Sequence, residues 1–259
     1  MSTDDFSKIR NSQELFDYLC QKGEKHKVYY QYTTKSALKE IYTGKSLLLT
    51  RADQLNDLAE CSGLRPEDKK KTYIASFTFG KMENVAMWFM YAAKPYKDAV
   101  RIGFSLKMMN ALRNELAKKT HDMIDNQTRN VKIKSFYFAD IVYARAHSLE
   151  YNRQSLLNKG GCVDLIKKSD KLKGMIKTAP WAYEKEVRLI MTMVEALPES
   201  AKSIKIKLPS NFQDGFSVTL GPGTDSKVLS ALNPALNFEK SSLTGQISES
   251  FTARYSRYC

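Results

Sequence analysis

The strongest candidate for chemistry is a pair of glutamates, Glu184 and Glu186, that are separated by one residue. The pair lies in a segment, 183–193, whose composition predicts a β-strand. Successive side chains of a strand point to opposite faces, so we expect both carboxylates to project from one face. Two like charges raise each other's proton affinity unless cations balance them, and Arg188 or nearby lysines are candidates for that role.

A carboxylate pair in a cleft suits a reaction with a cationic transition state. One such reaction is cleavage of the N-glycosidic bond of NAD⁺, in which departing nicotinamide leaves an oxocarbenium-like ribose. One glutamate then holds a ribose hydroxyl and stabilises the positive charge, while the other orients the incoming nucleophile. The same spacing also fits an ordinary charged surface strand, and spacing alone does not decide between the two.

Three further pairs of side chains have spacings that suit a ligand site. Two hydroxyls share one face of a predicted middle strand and can brace a glutamate. Two tyrosines share a face of an early strand and can stack on nicotinamide or bond to ribose. A tryptophan and a tyrosine lie three residues apart on a predicted helix, and all three pairs equally fit ordinary packing. The pairs are Ser76 with Thr78, Tyr30 with Tyr32, and Trp88 with Tyr91.

The elements that must position these residues are of mixed type. There is no regular alternation of strands and helices, so a doubly wound parallel sheet is not expected. We predict one α+β domain over residues 1–259, with a split β-sheet core and flanking helices. Predicted helices cover 11–22, 34–44, 83–93, 105–119, 162–177 and 226–232, and 51–71 is a predicted loop. Predicted strands cover 28–32, 46–50, 73–79, 99–106, 131–143, 183–193, 204–208 and 216–220.

The bulk composition favours a polyanionic partner. The chain has 259 residues, 42% of them hydrophobic, and a formal net charge of +13. Such a charge attracts nucleic acid, although it also fits a basic protein whose charge serves solubility. The polar, acidic N-terminus lacks the pattern of a secretory signal and no apolar run is long enough to span a bilayer, so we expect a cytoplasmic protein without membrane contact.

Several well-known sites are not expected. The P-loop and dinucleotide-binding fingerprints are missing from the sequence. The four cysteines are far apart, and with three isolated histidines they do not form a metal-ligand pattern, so we expect free thiols and no structural metal. The cysteines are Cys20, Cys61, Cys162 and Cys259.

The order of short motifs resembles that of a widespread bacterial domain family long catalogued without a function. The resemblance covers nearly all of residues 28–235, and its most specific part is the W-x-Y-E-K-E-x-R block at 181–188. The chain departs from the family at Leu58-Ala59, where proline and an aromatic residue are usual. The other matching motifs are Tyr30-x-Tyr32, Leu47 to Thr50, Leu55-Asn56-Asp57 with Glu60, Ser76-Phe77-Thr78, Trp88-x-x-Tyr91-Ala92, Ile102-Gly103-Phe104 and Leu220 to Gly223.

That family is in turn similar to the ADP-ribosyltransferase superfamily, whose members bind NAD⁺ in a cleft of a split β-sheet. The resemblance implies that NAD⁺ is the co-substrate, that Glu186 is catalytic and that Glu184 is its partner. The three signature positions then fall on an early, a middle and a late strand. The NAD⁺-binding residues that the resemblance implies are Tyr30, Tyr32, Ser76, Thr78, Trp88, Tyr91, Arg51 and Asn56.

The resemblance and the basic charge together favour RNA as the acceptor of ADP-ribose. The segment before the last signature strand usually recognises the target in such enzymes, and residues 159–182 are rich in lysine here. The chain is similar in these respects to an mRNA-modifying toxin of a toxin–antitoxin–chaperone phage-defence system, which implies an antitoxin protein as a second partner. Three alternatives stay open: a non-enzymatic nucleic-acid-binding module, a transferase with a protein target, and an NAD⁺ glycohydrolase.

Overall fold

The computed structural model describes residues 9–55, 61, 63–80, 82–91, 98–118, 132–144, 169, 172, 174–221 and 247–249. The chain divides into two compact units. Unit 1 comprises Met1–Lys25, Leu49–Ser76 and Val131–Ile204, and unit 2 comprises His26–Leu48, Phe77–Asn130 and Lys205–Cys259. The single domain over residues 1–259 therefore stays a prediction.

The predicted α+β class is confirmed, because helices flank strands that pair mostly in the antiparallel sense. The helices are α1 (Ser12–Gly23), α2 (Lys35–Gly44), α3 (Pro66–Lys69), α4 (Val85–Tyr91) and α5 (Leu106–Lys118). The strands are β1 (Val28–Thr34), β2 (Ser46–Arg51), β3 (Thr72–Phe79), β4 (Ala99–Ser105), β5 (Ile133–Asp140), β6 (Val142–Ala144), β7 (Ile176–Thr178), β8 (Glu186–Met193), β9 (Ser203–Lys207), β10 (Phe216–Leu220) and β11 (Ile247–Glu249). Short 3₁₀ helices cover Ala52–Gln54, Ala179–Glu184 and Phe212–Gly215.

In unit 1 the strand β8 lies between β3 and β5, and β3 also pairs with the end of β2. The helix α1 packs on β5 through its apolar stripe. A separate pair of parallel strands joins β6 to β7. The buried core of this unit is formed by Leu15, Leu19, Ala52, Cys61, Ile74, Ala139, Ile141, Val142, Leu172, Met175 and Ile190.

The Asn11 side chain caps the start of α1. The Asn11 side chain accepts a hydrogen bond of 2.9 Å from the backbone N–H of Glu14. The Glu14 carboxylate in return accepts one of 2.8 Å from the backbone N–H of Arg10. The bond to Asn11 satisfies a backbone donor that the first helical turn leaves without a partner, and so it helps to set where the helix begins.

The end of α1 approaches β5 so closely that only glycine fits there. A Cβ atom on Gly23 would lie 2.7 Å from the backbone N and Cα of Ala139. We therefore expect Gly23→Ala to lower the free energy of unfolding by about 1–3 kcal/mol, measured by urea denaturation. The matched control is Gly44→Ala at the end of α2, where the Cβ would meet only the Ser46 hydroxyl at 3.2 Å. Equal stability of the two variants would contradict this packing argument.

In unit 2 the strand β4 lies between β1 and β10. The strand β1 also pairs with the end of β3, and β11 runs parallel to β10. Thr34 caps α2 and Ser105 caps α5, both as the sequence predicts. Aromatic rings in edge-to-face or tilted contact fill this unit's core: Tyr29, Tyr42, Phe77, Phe104, Phe212 and Phe216.

Four predicted elements were wrong in part, and one of them, the strand 183–193, is described with the candidate site below. The predicted loop 51–71 contains a 3₁₀ turn and α3, which begins with Pro66 and acidic residues in the first turn, a recognised helix-start signal. The predicted strand 131–143 breaks at Ile141, because its backbone N–H bonds to the Glu186 carbonyl while Val142 bonds to Met175. The end of the predicted basic helix 162–177 is instead the strand β7. Predicted elements at 162–168 and 226–232 lie outside the described residues.

Candidate active site

Glu184 and Glu186 come together from two different elements. The sequence placed both on one strand, and this was wrong, because Glu184 ends the 3₁₀ helix Ala179–Glu184 and Glu186 begins β8. Pro180 suits the first turn of that helix, since its fixed φ matches helical geometry. Lys185 between the two glutamates has a φ of +45°, a left-handed conformation. The turn at Lys185, rather than the alternation of a strand, therefore directs the two carboxylates.

Two cations neutralise the two carboxylates. The Lys177 ammonium lies 2.6 Å from Glu184 Oε2 and 3.2 Å from Glu186 Oε2. The Arg188 guanidinium binds Glu186 through two nitrogens, Nε at 2.6 Å from Oε1 and Nη2 at 3.0 Å from Oε2. All four residues are buried, with at most 7% of any residue exposed. We call Lys177, Glu184, Glu186 and Arg188 the charged quartet.

Neighbouring groups hold the quartet in place. Arg188 donates a hydrogen bond of 2.9 Å to the Gly174 carbonyl. The backbone N–H of Glu186 donates one of 2.7 Å to the Tyr143 hydroxyl, and the Ser76 hydroxyl bonds to the Glu186 carboxylate. The quartet is therefore fixed by β3, β6 and the segment before β7, all within unit 1.

These contacts keep the Glu186 carboxylate charged despite its burial. Burial by itself raises the pKa of Glu186, but the charge and hydrogen bonds of Arg188, with Lys177 and Ser76, outweigh burial and lower that pKa. Burial, with the Glu186 charge beside it, raises the pKa of the Tyr143 hydroxyl. The site therefore contains an ionised carboxylate of fixed orientation next to a neutral phenol.

An ionised carboxylate that is fixed before substrate binds can stabilise a positive charge that develops during a reaction. Such stabilisation is strong where water is excluded, because the effective dielectric constant is low and no reorganisation is needed. A buried ion-pair network also has a purely structural use, although it is weak evidence for stability. The quartet contains an ionised carboxylate of this kind, and Lys177 and Arg188 balance the two negative charges.

Unit 1 contains two of the residues that the resemblance implied for NAD⁺ binding, Ser76 and Arg51. Ser76 is exposed, and its hydroxyl meets Glu186 as described above. Arg51 is fully buried and binds Asp53 Oδ1 at 2.7 Å and Glu199 Oε1 at 3.0 Å. Asn56 lies outside the described residues. The structure thus brings Ser76 to the quartet, whereas Arg51 forms ion pairs with Asp53 and Glu199 instead.

Unit 2 gathers the aromatic residues that the sequence singled out. Tyr30 pairs across the strands with Thr78, which is buried. The guanidinium of Arg101 lies over both tyrosine rings, 4.4 Å from the centroid of Tyr30 and 5.8 Å from that of Tyr32. The predicted shared face of Tyr30 and Tyr32 is therefore present. Their binding of NAD⁺ stays a prediction.

The helix α4 contributes the other two aromatic candidates. Trp88 is buried and meets the Tyr32 ring edge-to-face at 4.7 Å, and its Nε1–H donates a hydrogen bond of 2.9 Å to Glu83 Oε2. Tyr91 is half-buried at the end of the helix. Asn84 fixes the helix start, since its side-chain oxygen accepts a hydrogen bond of 2.9 Å from the backbone N–H of Ala86. The backbone N–H of Asn84 donates to the Tyr32 hydroxyl at 2.9 Å. Packing is thus one established role of Trp88 and Tyr32.

Sequence reasoning missed three residues that shape these clusters: Lys177, Tyr143 and Arg101. Lys177 was assigned to a basic helix, although Ile176 and Thr178 on either side of it are β-branched and favour a strand. Tyr143 carries no local signal, because its contact with Glu186 joins residues 43 positions apart. Arg101 lies directly opposite Tyr32 in the β1–β4 register, which only the pairing of these strands reveals.

The comparisons with known proteins were made for sequence and for structure. No protein-family model matches the chain, and no curated protein matches it in sequence. Among solved structures the chain is similar to DarT from Thermus sp. 2.9 in complex with NAD⁺, with 8% sequence identity and a TM-score of 0.36. The match covers 88% of this chain and 98% of that chain. A likeness at this level establishes neither a family nor an activity.

Two other kinds of site were sought in the part of the chain that the structure describes. No helix there has both the length and the apolar character needed to cross a bilayer. Within the same residues no group of three or more His, Cys, Asp or Glu side chains is arranged to hold a metal ion.

Proposed function

We propose that this chain is an NAD⁺-dependent ADP-ribosyltransferase that modifies RNA, with Glu186 as the catalytic carboxylate. The observation that carries the proposal is the ionised, doubly paired Glu186 carboxylate beside Glu184 and the Ser76 hydroxyl. The resemblance of the 181–188 block to the ADP-ribosyltransferase superfamily supports the same assignment. It also supports a role as the toxin of a phage-defence system, with an antitoxin protein as partner.

The proposed reaction breaks the bond between C1′ of the ribose and the nicotinamide nitrogen. The bonding electron pair leaves with that nitrogen, so nicotinamide departs as a neutral molecule and the ribose becomes oxocarbenium-like. Glu186 stabilises the positive charge through space. A lone pair of the RNA acceptor atom then attacks C1′, and Glu184 accepts the proton that the acceptor loses. The products are ADP-ribosylated RNA, nicotinamide and one proton.

The test is to incubate the purified protein with NAD⁺ labelled in its adenylate moiety, and with RNA, with protein acceptors, or with neither. We expect label on RNA and one nicotinamide released for each label transferred. Label on protein alone would overturn the RNA assignment and favour a protein-directed transferase. Nicotinamide release without an acceptor would favour a glycohydrolase. No release under any of these conditions, with RNA binding intact, would overturn the enzyme assignment in favour of a nucleic-acid-binding module.

A further inference from the structure

Two lysine-rich segments that are far apart in the sequence meet at one end of unit 1. The backbone N–H of Met193, the last residue of β8, bonds to the Lys71 carbonyl at 2.8 Å. The next backbone N–H, that of Val194, bonds to the Lys132 carbonyl at 3.0 Å. Lys71 and Lys132 therefore flank the end of β8 on opposite sides, about 10 Å apart by the usual spacing of strands.

Two more lysines extend this cluster. Lys69 ends α3, two residues before Lys71. Lys134 lies where the β5–β8 register shifts between Ile133 and Ser135, so it is the extra residue of a bulge and is exposed. Bulges re-aim side chains at the edges of sheets, and this one adds a cation to the cluster. We call Lys69, Lys71, Lys132 and Lys134 the lysine edge.

The charges around the lysine edge leave it positive. Lys70 is excluded from the edge, because its ammonium lies 3.2 Å from a Glu199 oxygen. Arg65 lies 2.8 Å from Asp68 and 3.3 Å from Glu67, so it balances one of these two carboxylates. The other carboxylate and Glu195, which follows Val194, contribute two negative charges against the four positive ones. Val194 itself is 45% exposed, so the end of β8 presents an apolar side chain among the lysines.

We infer that the lysine edge binds the phosphate backbone of single-stranded RNA. This inference rests on the proposed function, because it assigns a place to the acceptor. Lysine ammoniums act as hydrated point charges without the fixed fork of arginine, so they suit a backbone whose sequence is not read. The edge lies about 23 Å from Glu186 along β8, a distance that a short single strand of RNA can span.

The position of the lysine edge has a consequence for the reaction. The lysine edge lies at the end of β8 and the quartet lies at its start. An RNA that is bound at the edge therefore reaches the quartet only through nucleotides that extend along unit 1. RNAs that are too short to span this distance therefore reach one of the two places and not both. Longer RNAs are expected to be the better acceptors, because they gain the affinity of the edge while a nucleotide occupies the site.

The experiment replaces all four lysines of the edge by glutamine and measures the affinity of unreactive RNA, without NAD⁺, at several salt concentrations. Each phosphate contact contributes about 0.7 to the slope of log K against log salt for single strands. We expect the slope to fall in magnitude by about 3. The matched control changes the same charge on four exposed lysines that are spread along the sequence of unit 2: Lys27, Lys39, Lys107 and Lys207.

The inference is supported if the edge variant loses salt-dependent binding and the control variant retains it. It is overturned if the slope of log K against log salt falls equally in both variants, because net charge alone would then explain binding. It is also overturned if the slope changes in neither variant. Circular dichroism and urea denaturation establish that both variants are folded. Because no NAD⁺ is present, failure of this test is distinct from failure of the proposed enzyme activity, which nicotinamide release measures separately.

Discussion

Glu186→Gln is expected to lower the rate of NAD⁺-dependent nicotinamide release by about 10²- to 10⁴-fold, the range typical for loss of a catalytic acid–base or electrostatic group. The substitution keeps the shape of the side chain but removes the negative charge that faces the developing oxocarbenium. The measurement is the initial rate over a range of NAD⁺ concentrations at saturating RNA, which gives kcat and KM. A change in KM reports loss of binding and a change in kcat reports loss of catalysis.

The same substitution also has a structural cost that must be separated from catalysis. It leaves the fully buried Arg188 without its carboxylate, and breaking a buried pair in this way costs about 3–5 kcal/mol of stability. The variant that separates the effects is Glu186→Gln combined with Arg188→Met. It keeps the neutral pair of Lys177 and Glu184, and we expect it to recover much of the stability that Glu186→Gln loses, as measured by urea denaturation.

Activity of this double variant decides the role of Glu186. We expect nicotinamide release to stay as low as in Glu186→Gln, because the negative charge is still missing. If the double variant regains both stability and activity, Glu186 serves folding alone and the catalytic assignment is wrong. The comparison is informative because stability is expected to differ between the two variants, whereas nicotinamide release is expected to be equally low in both.

The second large effect is expected at Lys177, which we assign as a positioning residue. Lys177→Met removes the cation that contacts both carboxylates, so the quartet keeps two carboxylates and one arginine. Lys177 is one of the groups that lower the pKa of Glu186, so this pKa rises in the variant. Activity that requires the charged carboxylate is lost as pH falls through that pKa. We therefore expect the acid limb of the pH–rate profile to move to higher pH.

Two further variants make the Lys177 prediction specific. Lys177→Arg keeps a positive charge next to both glutamates and is expected to return the acid limb toward its original position. Lys185→Met removes the same charge from an exposed residue of the adjoining turn and keeps a non-glycine residue at the left-handed φ. We expect it to leave the pH–rate profile in place. A profile that does not move in Lys177→Met would show that Lys177 does not set the ionisation of the pair.

Local patterns predicted most helices and strands well. The start of α2 follows from Thr34, and the alternation of Tyr73 to Phe79 predicted β3. The left-handed residue that ends α2 is Lys45 rather than Gly44. Such signals work because a cap or an alternating face depends on residues a few positions apart. The turn at Lys185 was missed for the opposite reason. Nothing in the neighbouring sequence indicates that a lysine adopts a left-handed φ. This conformation is unfavourable for a residue with a side chain, so the surrounding contacts must stabilise it.

The sequence by itself determined that two carboxylates of unit 1 lie within one short block, that hydroxyl-bearing and aromatic residues accompany them in other segments, and that the chain is strongly basic. Only the tertiary structure decided which charges neutralise Glu184 and Glu186. Lys177 and Arg188 come from different strands, and Tyr143 lies on a third strand. The ionisation of a carboxylate depends on burial and on charges within a few ångströms, whatever their distance along the chain. For that reason the pair was visible in the sequence, whereas its buried, ionised state was not.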